Sequence, residues 1–423
     1  MKYIVTFLLL ISSAIANAQS VTKRALFLGN SYTEANNLPQ MIANIAASSG
    51  DVLVFDSNTP GGYTLQGHSS NATSLAKIAQ GNWDYVILQE QSQLPAFPIA
   101  QVETSVFPYA QMLDNTINAQ NPCAETVFYM TWGRKNGDAA NCASWPPVCT
   151  YEGMDNLLNS RYRTMAENNN GIVSAVGAVW KHIRENFPLI DLYQSDESHP
   201  SIAGTYAAAC SFYATLFRKD PTTITFNASL SPTEAANIRN ATKLIIYDNL
   251  TEWFIGTYDP MANFTFTISN GNQVLFTNNS SNATTYHWDF GDNETSSDNN
   301  PTHTYLTPGL YTIQLTATKC GISNTTFQTL NITTPLGVNT TAQANNLIIY
   351  PNPATTILNV NHDFSNSITY QIVNSTGQVL EKGIINNFEK QIMVASLSDG
   401  MYFLQLSDNN QLLGQQKFVK STN

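Results

Sequence analysis

Ala25-Leu26-Phe27-Leu28-Gly29-Asn30-Ser31-Tyr32-Thr33 carries the strand-to-helix signal from which the fold class follows. Four apolar residues run into a Gly-Asn turn, and a serine stands where the hydrophobic run stops. A continuous apolar run closed by a turn signal suits a strand covered on both faces. From Asn37 the pattern turns helical, with Leu38, Met41, Ile42, Ile45 and Ala46 on one face of a 3.6-residue repeat. The serine therefore sits between the carboxyl end of a strand and a helix, where open α/β sheets carry their reactive groups. Gly-Asn-Ser is also an ordinary turn composition, so the stretch needs support from the rest of the chain.

That support begins with rhythm. Further strands are expected at Val52–Phe55, Tyr85–Leu88, Thr126–Thr131 and Ile172–Val176. Helical patterns lie between and after them, near Leu38–Ala47, Thr104–Gln120, Asp155–Asn168 and Ala178–Asn186, after Pro200, and across Pro232–Ile255. Strand, helix, strand in this order implies right-handed crossovers and a parallel sheet with helices on both faces. The fold class expected for residues 19–258 is three-layer α/β. Beyond Tyr258 the period changes to two, as in Phe264–Ile268, Val274–Phe276 and Tyr311–Leu315, which predicts a small β-sandwich over 259–335. Residues 336–346 read as a linker, and a second all-β unit fills 347–423.

Bulk properties narrow the function. Charged residues make up 12% of the 423 and the net charge is −11. That balance argues against nucleic-acid binding, which needs a positive surface. Lys2, the apolar run Ile4–Ile11 and the Ala16-Asn17-Ala18 site predict a signal peptide over residues 1–18. The apolar run is too short to span a membrane, and no later segment approaches the needed length. Export makes disulfides possible for the five cysteines. Cys142 and Cys149 bracket a stiff loop and form the expected pair, Cys123 with Cys210 is a weaker option, and Cys320 is left over. The Cys/His spacings do not resemble a zinc site.

Nucleophilic acyl transfer needs a hydroxyl, a base and a carboxylate to orient that base. It also needs donors aimed at the developing oxyanion. His199 lies in Ser195-Asp196-Glu197-Ser198-His199-Pro200-Ser201, immediately before a long apolar helix. Asp196, three residues earlier, can fold back onto the imidazole in a tight turn. An isolated Asp-x-x-His can equally be an ordinary turn at the start of a helix.

Taken together, Gly29-Asn30-Ser31-Tyr32-Thr33 and Asp196-Glu197-Ser198-His199-Pro200-Ser201 resemble the SGNH (GDSL-like) hydrolase family. The resemblance implies a flavodoxin-like three-layer sheet and ester hydrolysis, with Ser31 as nucleophile, His199 as general base and Asp196 as the orienting carboxylate. It implies an oxyanion hole made of the Ser31 N–H, the Gly62 N–H (Gly61 being the alternative) and the Gln91 amide. Here the chain departs from the family, since Gln89-Glu90-Gln91-Ser92 replaces the usual Gly-x-Asn-Asp. His68, Trp132 and Arg134 are candidates for the substrate pocket, with Trp132 equally readable as core and His68 as a loop residue. The chemistry calls for no metal and no other cofactor.

Tyr286-His287-Trp288-Asp289-Phe290-Gly291-Asp292 with His303-Thr304-Tyr305 resembles a PKD repeat, in which Trp288 and Phe290 pack inward. Ile349-Tyr350-Pro351-Asn352-Pro353-Ala354 and Asp399-Gly400-Met401-Tyr402-Phe403-Leu404 resemble the C-terminal sorting domain of the type IX secretion system. The expectation is a secreted or cell-surface serine esterase with the secretion machinery as a partner. Its substrate would be a short-acyl ester, acetyl above all, on a carbohydrate. A non-catalytic glycan-binding protein and a long-chain lipase are the rivals.

Overall fold

The computed structural model describes residues 20–269, 272–333, 347–362, 367–386, 390–408 and 411–422. The expected signal peptide and the expected linker lie outside the described residues.

The first unit is built on five parallel strands, β1 (Thr22–Leu28), β2 (Val52–Asn58), β3 (Tyr85–Leu88), β4 (Glu125–Tyr129) and β5 (Ile172–Ser174), in the order β2-β1-β3-β4-β5. Among the described residues eleven α-helices accompany them: α1 (Ser31–Glu34), α2 (Leu38–Ser48), α3 (Leu65–Ser70), α4 (Ala72–Ala79), α5 (Ile99–Ser105), α6 (Phe107–Gln120), α7 (Ala139–Cys142), α8 (Tyr151–Asn168), α9 (Val176–Asn186), α10 (Ile202–Phe217) and α11 (Pro232–Ile245). β1 lies between β2 and β3, which is why Ala25 to Leu28 are apolar on both faces and fully buried. α2, α10 and α11 pack on one side of the sheet, and α4, α6 and α8 on the other. The expected three layers are present.

The order reverses at β1, since β2 lies on one side of it and β3 on the other. Such a switch point opens a crevice beyond the carboxyl ends of the strands. Register sets what faces it. Leu28 pairs with both Leu88 and Asn58, so Ser31, Gln91 and Gly61 each stand three residues past one rung of the sheet. The expected single helix over Thr104–Gln120 is broken at Val106, where Pro108 begins α6 in its first turn. Ser201 caps α10 by accepting the Gly204 N–H, so the helix starts just after the Pro200-Ser201 pair rather than at it.

The second unit has two antiparallel sheets. One is ordered β10-β7-β6, from β6 (Phe264–Ser269), β7 (Gln273–Asn278) and β10 (Thr302–Thr304). The other is β12-β11-β8-β9, from β8 (Thr285–Asp289), β9 (Thr295–Ser296), β11 (Gly309–Lys319) and β12 (Ile322–Ile332). Trp288 and Phe290 are buried between the sheets as expected, packed on Phe276. The third unit pairs a sheet at Ile348–Tyr350, Ile357–Asn361 and Gln391–Met393 with a larger one at Ile368–Asn374, Val379–Ile385, Gly400–Asp408 and Gln411–Lys420.

Cys142 and Cys149 are bonded, as their loop suggests. The second disulfide is not the weaker option Cys123–Cys210: Cys123 is joined to Cys320, the cysteine expected to be left over, and Cys210 is free. Cys210 lies inside α10, a helix buried along nearly its whole length, out of reach of the surface loop that carries Cys123. Cys320 occupies the turn between β11 and β12 and meets Cys123 just before β4. The bond therefore staples the second unit to the first. Beside it, Arg218 donates to Asp259 and, at 3.2 Å, to Glu125.

Candidate active site

The turn after β1 is built by Asn30. Its Oδ1 accepts from the Tyr32 N–H at 3.1 Å, capping α1, and its Nδ2 donates to the Tyr63 carbonyl at 2.9 Å. Gln89, fully buried beyond β3, completes the frame. Its Oε1 accepts from the Asn30 N–H at 3.0 Å and from the Thr33 hydroxyl at 2.9 Å, while its Nε2 donates to Asn30 Oδ1 at 2.8 Å. Gly29 is a glycine because a Cβ there would lie 2.4 Å from Thr33 Oγ1 and 2.8 Å from Gln89 Oε1. The result is a fixed turn with Ser31 in the first position of a helix.

His199 Nε2 lies 2.8 Å from Ser31 Oγ. His199 Nδ1 lies 2.5 Å from Asp196 Oδ2. Asp196 Oδ1 accepts from the backbone N–H groups of Ser198 and His199 at 3.1 and 2.9 Å, which closes the tight turn expected from the Asp-x-x-His spacing. Partial burial raises the Asp196 carboxyl's pKa, but the bonds from the His199 side chain and the two N–H groups more than offset it. The group is held below the usual carboxylate range, ionised and ready to fix the Nδ1–H tautomer. The loop is braced from outside: Glu197, at φ +60°, accepts at its carbonyl from the Lys135 N–H and at its carboxylate from Asn136, both at 2.9 Å.

Gly62 occupies the third position of a Pro60–Tyr63 turn closed by a 3.2 Å bond, with φ +66°, a conformation that favours glycine. Among the described residues, neither the Ser31 N–H nor the Gly62 N–H has a protein acceptor. Gln91 is partly engaged in its own loop. Its Oε1 accepts from the N–H groups of Gln93 and Leu94, and its Nε2 donates to Gln93 Oε1 at 2.8 Å, with Ser92 Oγ at 3.4 Å.

Two of the three expected pocket residues fall elsewhere. His68 is fully buried behind the Ser31 turn. Its Nε2 lies 2.9 Å from the Gly29 carbonyl and its Nδ1 2.8 Å from Ser74 Oγ. The carbonyl requires the proton on Nε2, so Nδ1 accepts from Ser74. Burial lowers the pKa of this ring, which stays neutral and structural. Trp132 is core: it stacks on Trp180 at 3.7 Å and on Tyr32 at 4.8 Å with zero exposure, and its Nε1 donates to the Ser198 carbonyl at 3.1 Å. Arg134, partly exposed, pairs with the fully buried Asp138 at 3.2 Å and acts electrostatically on Tyr32, beside Ser31. Tyr32, Gln89 and Glu90 are the supporting residues that sequence reading passed over. A signal existed for the last two, because polar side chains directly beyond a fully buried strand must find partners.

Residues 258–334 match the PKD domain family, and residues 348–421 match the secretion system C-terminal sorting domain family. The two β units are a PKD domain and a sorting domain. The sorting domain directs the protein to the type IX secretion machinery and so to the cell surface or the medium. No helix among the described residues is long and apolar enough to cross a membrane.

The α/β unit is similar to a putative SGNH hydrolase from Slackia heliotrinireducens, 26% identical over 45% of this chain and 97% of that one, with a TM-score of 0.38. It is also similar to a DUF4886 family protein from Bacteroides uniformis, 18% identical over 55% of this chain and 99% of that one, with a TM-score of 0.47. The PKD domain is similar to one from Vibrio anguillarum, 35% identical over 18% of this chain and 96% of that one, with a TM-score of 0.18. No curated protein matches the chain. In strand order and layering the α/β unit is a flavodoxin-like three-layer sheet.

Proposed function

We propose that the α/β unit is a serine esterase that uses Ser31, His199 and Asp196. The observation that carries this reading is the unbroken line from Ser31 Oγ to His199 Nε2 at 2.8 Å and from His199 Nδ1 to Asp196 at 2.5 Å. Ser31 Oγ attacks the ester carbonyl as Nε2 takes its proton, and Asp196 stabilises the imidazolium that forms. The Ser31 and Gly62 N–H groups receive the negative oxygen, and the Gln91 amide is the third candidate donor. Nε2 returns the proton to the departing alcohol. Water then attacks the acyl-enzyme by the same route in reverse.

The proposed substrate is a short-acyl, above all acetyl, ester of a carbohydrate. Supporting this, Asp196 and His199 keep 46% and 34% of their side chains exposed. The loops beside them carry Thr59, Gln91, Gln93, Asn136 and Glu197, a polar rim that suits a hydroxylated alcohol better than a long acyl chain. The test is turnover of p-nitrophenyl acetate by the mature protein and by Ser31→Ala. Loss of turnover in the variant is the expected result; equal rates would sink the assignment. Acyl-chain length and acetate release from acetylated polysaccharides then separate short-acyl carbohydrate esters from lipids.

A further inference from the structure

Glu90 is fully buried, directly beyond β3, and its chemistry is not used by the steps above. Its Oε1 accepts from the Gln91 N–H at 2.5 Å and from the Leu65 N–H at 3.3 Å, and Oε2 lies 3.2 Å from the same Leu65 N–H. Its backbone is held as well: the N–H donates to Tyr162 of α8 at 3.3 Å, and the carbonyl accepts from Gln89 at 2.6 Å. One side chain thus joins the loop after β2, which presents Gly62, to the loop after β3, which presents Gln91. Asn30 ties the first of these to the nucleophile turn through the Tyr63 carbonyl.

We propose that Glu90 is the positioning residue of the oxyanion hole, its carboxyl holding the Gly62 and Gln91 loops together through the Leu65 and Gln91 N–H groups. This rests on the esterase reading above. Among the described residues no lysine or arginine pairs with Glu90, and an ionised carboxylate buried without a cation is costly. The titratable groups on the elements it touches are Tyr151, Glu152, Asp155, Arg161, Tyr162, Arg163 and Glu167 of α8, His68 of α3, and Tyr32 and Glu34 of α1; of the two α8 cations Arg163 pairs with Glu252, and neither forms an ion pair with Glu90. Tyr162 and Tyr32 are buried phenols with raised pKa values, His68 is neutral, and Glu34 is engaged with Thr59. None supplies a compensating positive charge. Desolvation pushes the Glu90 carboxyl up to about 8, against the Gln91 and Leu65 N–H bonds, which lower it. A neutral carboxyl accepts the two N–H groups through Oε1 and leaves the hole free of negative charge. An ionised one sets a like charge beside the developing oxyanion.

The experiment measures kcat and KM for p-nitrophenyl acetate across about pH 6 to 10 in wild type, Glu90→Gln and Glu90→Ala, with the Ser31→Ala rate subtracted. Wild-type kcat should fall as pH rises through about 8, with KM nearly constant. Glu90→Gln keeps the accepting oxygen and cannot ionise, so it should retain neutral-pH kcat within about 3-fold and lose the alkaline fall. Glu90→Ala frees both loops and should lose about 10²-fold in kcat, the scale of one misplaced oxyanion donor. An alkaline fall that survives unchanged in Glu90→Gln overturns the proposal, and that variant decides alone if Glu90→Ala does not fold. A Ser31→Ala variant as active as wild type overturns the esterase reading and this proposal with it. A dead Ser31→Ala beside an unchanged Glu90→Gln profile overturns only the role of Glu90.

Discussion

The hydroxyl of Tyr32 lies 2.6 Å from Oγ of Ser198, so the residue after Ser31 is bonded to the residue before His199. The same Tyr32 ring stacks on Trp132 with 1° between the planes, and Trp132 donates to the Ser198 carbonyl. An aromatic column of Trp180, Trp132 and Tyr32 therefore holds both ends of the Ser31–His199 bond from beneath. Tyr32→Phe keeps the column and removes one bond. We expect a stability loss of about 0.5–1.5 kcal/mol in urea unfolding. Because the reacting pair loosens, kcat on p-nitrophenyl acetate should fall about 3- to 10-fold while KM stays level. An unchanged kcat would show that Ser198 is held well enough without the phenol.

Trp132 sits at the centre of that column, and its substitution separates a core residue from a sugar platform. Trp132→Ala leaves a large cavity and orphans the Ser198 carbonyl. A loss of about 3–5 kcal/mol is expected, measured by denaturant unfolding. A platform residue would instead raise KM on a carbohydrate ester and leave stability near wild type.

These supports explain what was legible in the chain and what was not. Ala25 to Leu28 announced a central strand because both faces of β1 are covered, and the expected Tyr85–Leu88 strand is β3 residue for residue. Asp196 and His199 were legible because their meeting is local, a turn of four residues. The meeting of Ser31 with His199 spans 168 positions, and only the sheet order and α10 bring it about. Residue type was a poor guide to depth. His68 and Trp132 look like pocket residues in a polar loop and at a strand end, yet both are drawn beneath the turn by hydrogen bonds. The Cys123–Cys320 pair was illegible for the same reason, since it joins loops of two separately patterned units.

Asp196 offers a direct test of orientation. Its carboxylate accepts Nδ1–H and two backbone N–H groups, so Asp196→Asn replaces an acceptor by a donor facing His199. The imidazole is then driven to the other tautomer, with Nε2 unable to accept the serine proton. A kcat loss of about 10²–10⁴-fold is expected, with KM little changed. Because the folded carboxyl is held below the usual range, the stability it contributes is present above the unfolded pKa and fades as pH falls through the folded one. Urea midpoints of wild type and Asp196→Asn should therefore converge toward low pH. Parallel curves would mean that the carboxylate contributes no pH-linked stability.

Glu90 has the opposite linkage. Its folded pKa is raised from 4.5 to about 8, so below about 4.5 both states hold the proton and no penalty applies. As pH rises from there, the unfolded chain releases a proton that the folded chain keeps, and stability declines until about pH 8. Each unit of difference corresponds to about 1.4 kcal/mol, giving a decline on the order of 4–5 kcal/mol from this group alone. Glu90→Gln should flatten the stability profile across that window, as read by urea unfolding at a series of pH values. A slope identical to wild type would place the Glu90 carboxyl near its ordinary range.

The disulfide between Cys123 and Cys320 fastens the PKD domain to the α/β unit. Their sequence separation is 197 residues, a long loop whose closure restricts the unfolded chain strongly, with a typical contribution of about 2–4 kcal/mol. Arg218 with Asp259 and Glu125 is a polar contact that remains when the bond is removed. Cys320→Ser should lower the unfolding midpoint and split a single calorimetric transition into two. It should also expose the segment around Thr257–Met261 to proteolysis, while p-nitrophenyl acetate turnover stays within about 2-fold. That last expectation follows from position, because Cys123 precedes β4 at the amino ends of the strands whereas Ser31 lies beyond the carboxyl end of β1. A single transition at the wild-type temperature would mean that the two units are held together by their noncovalent surface alone.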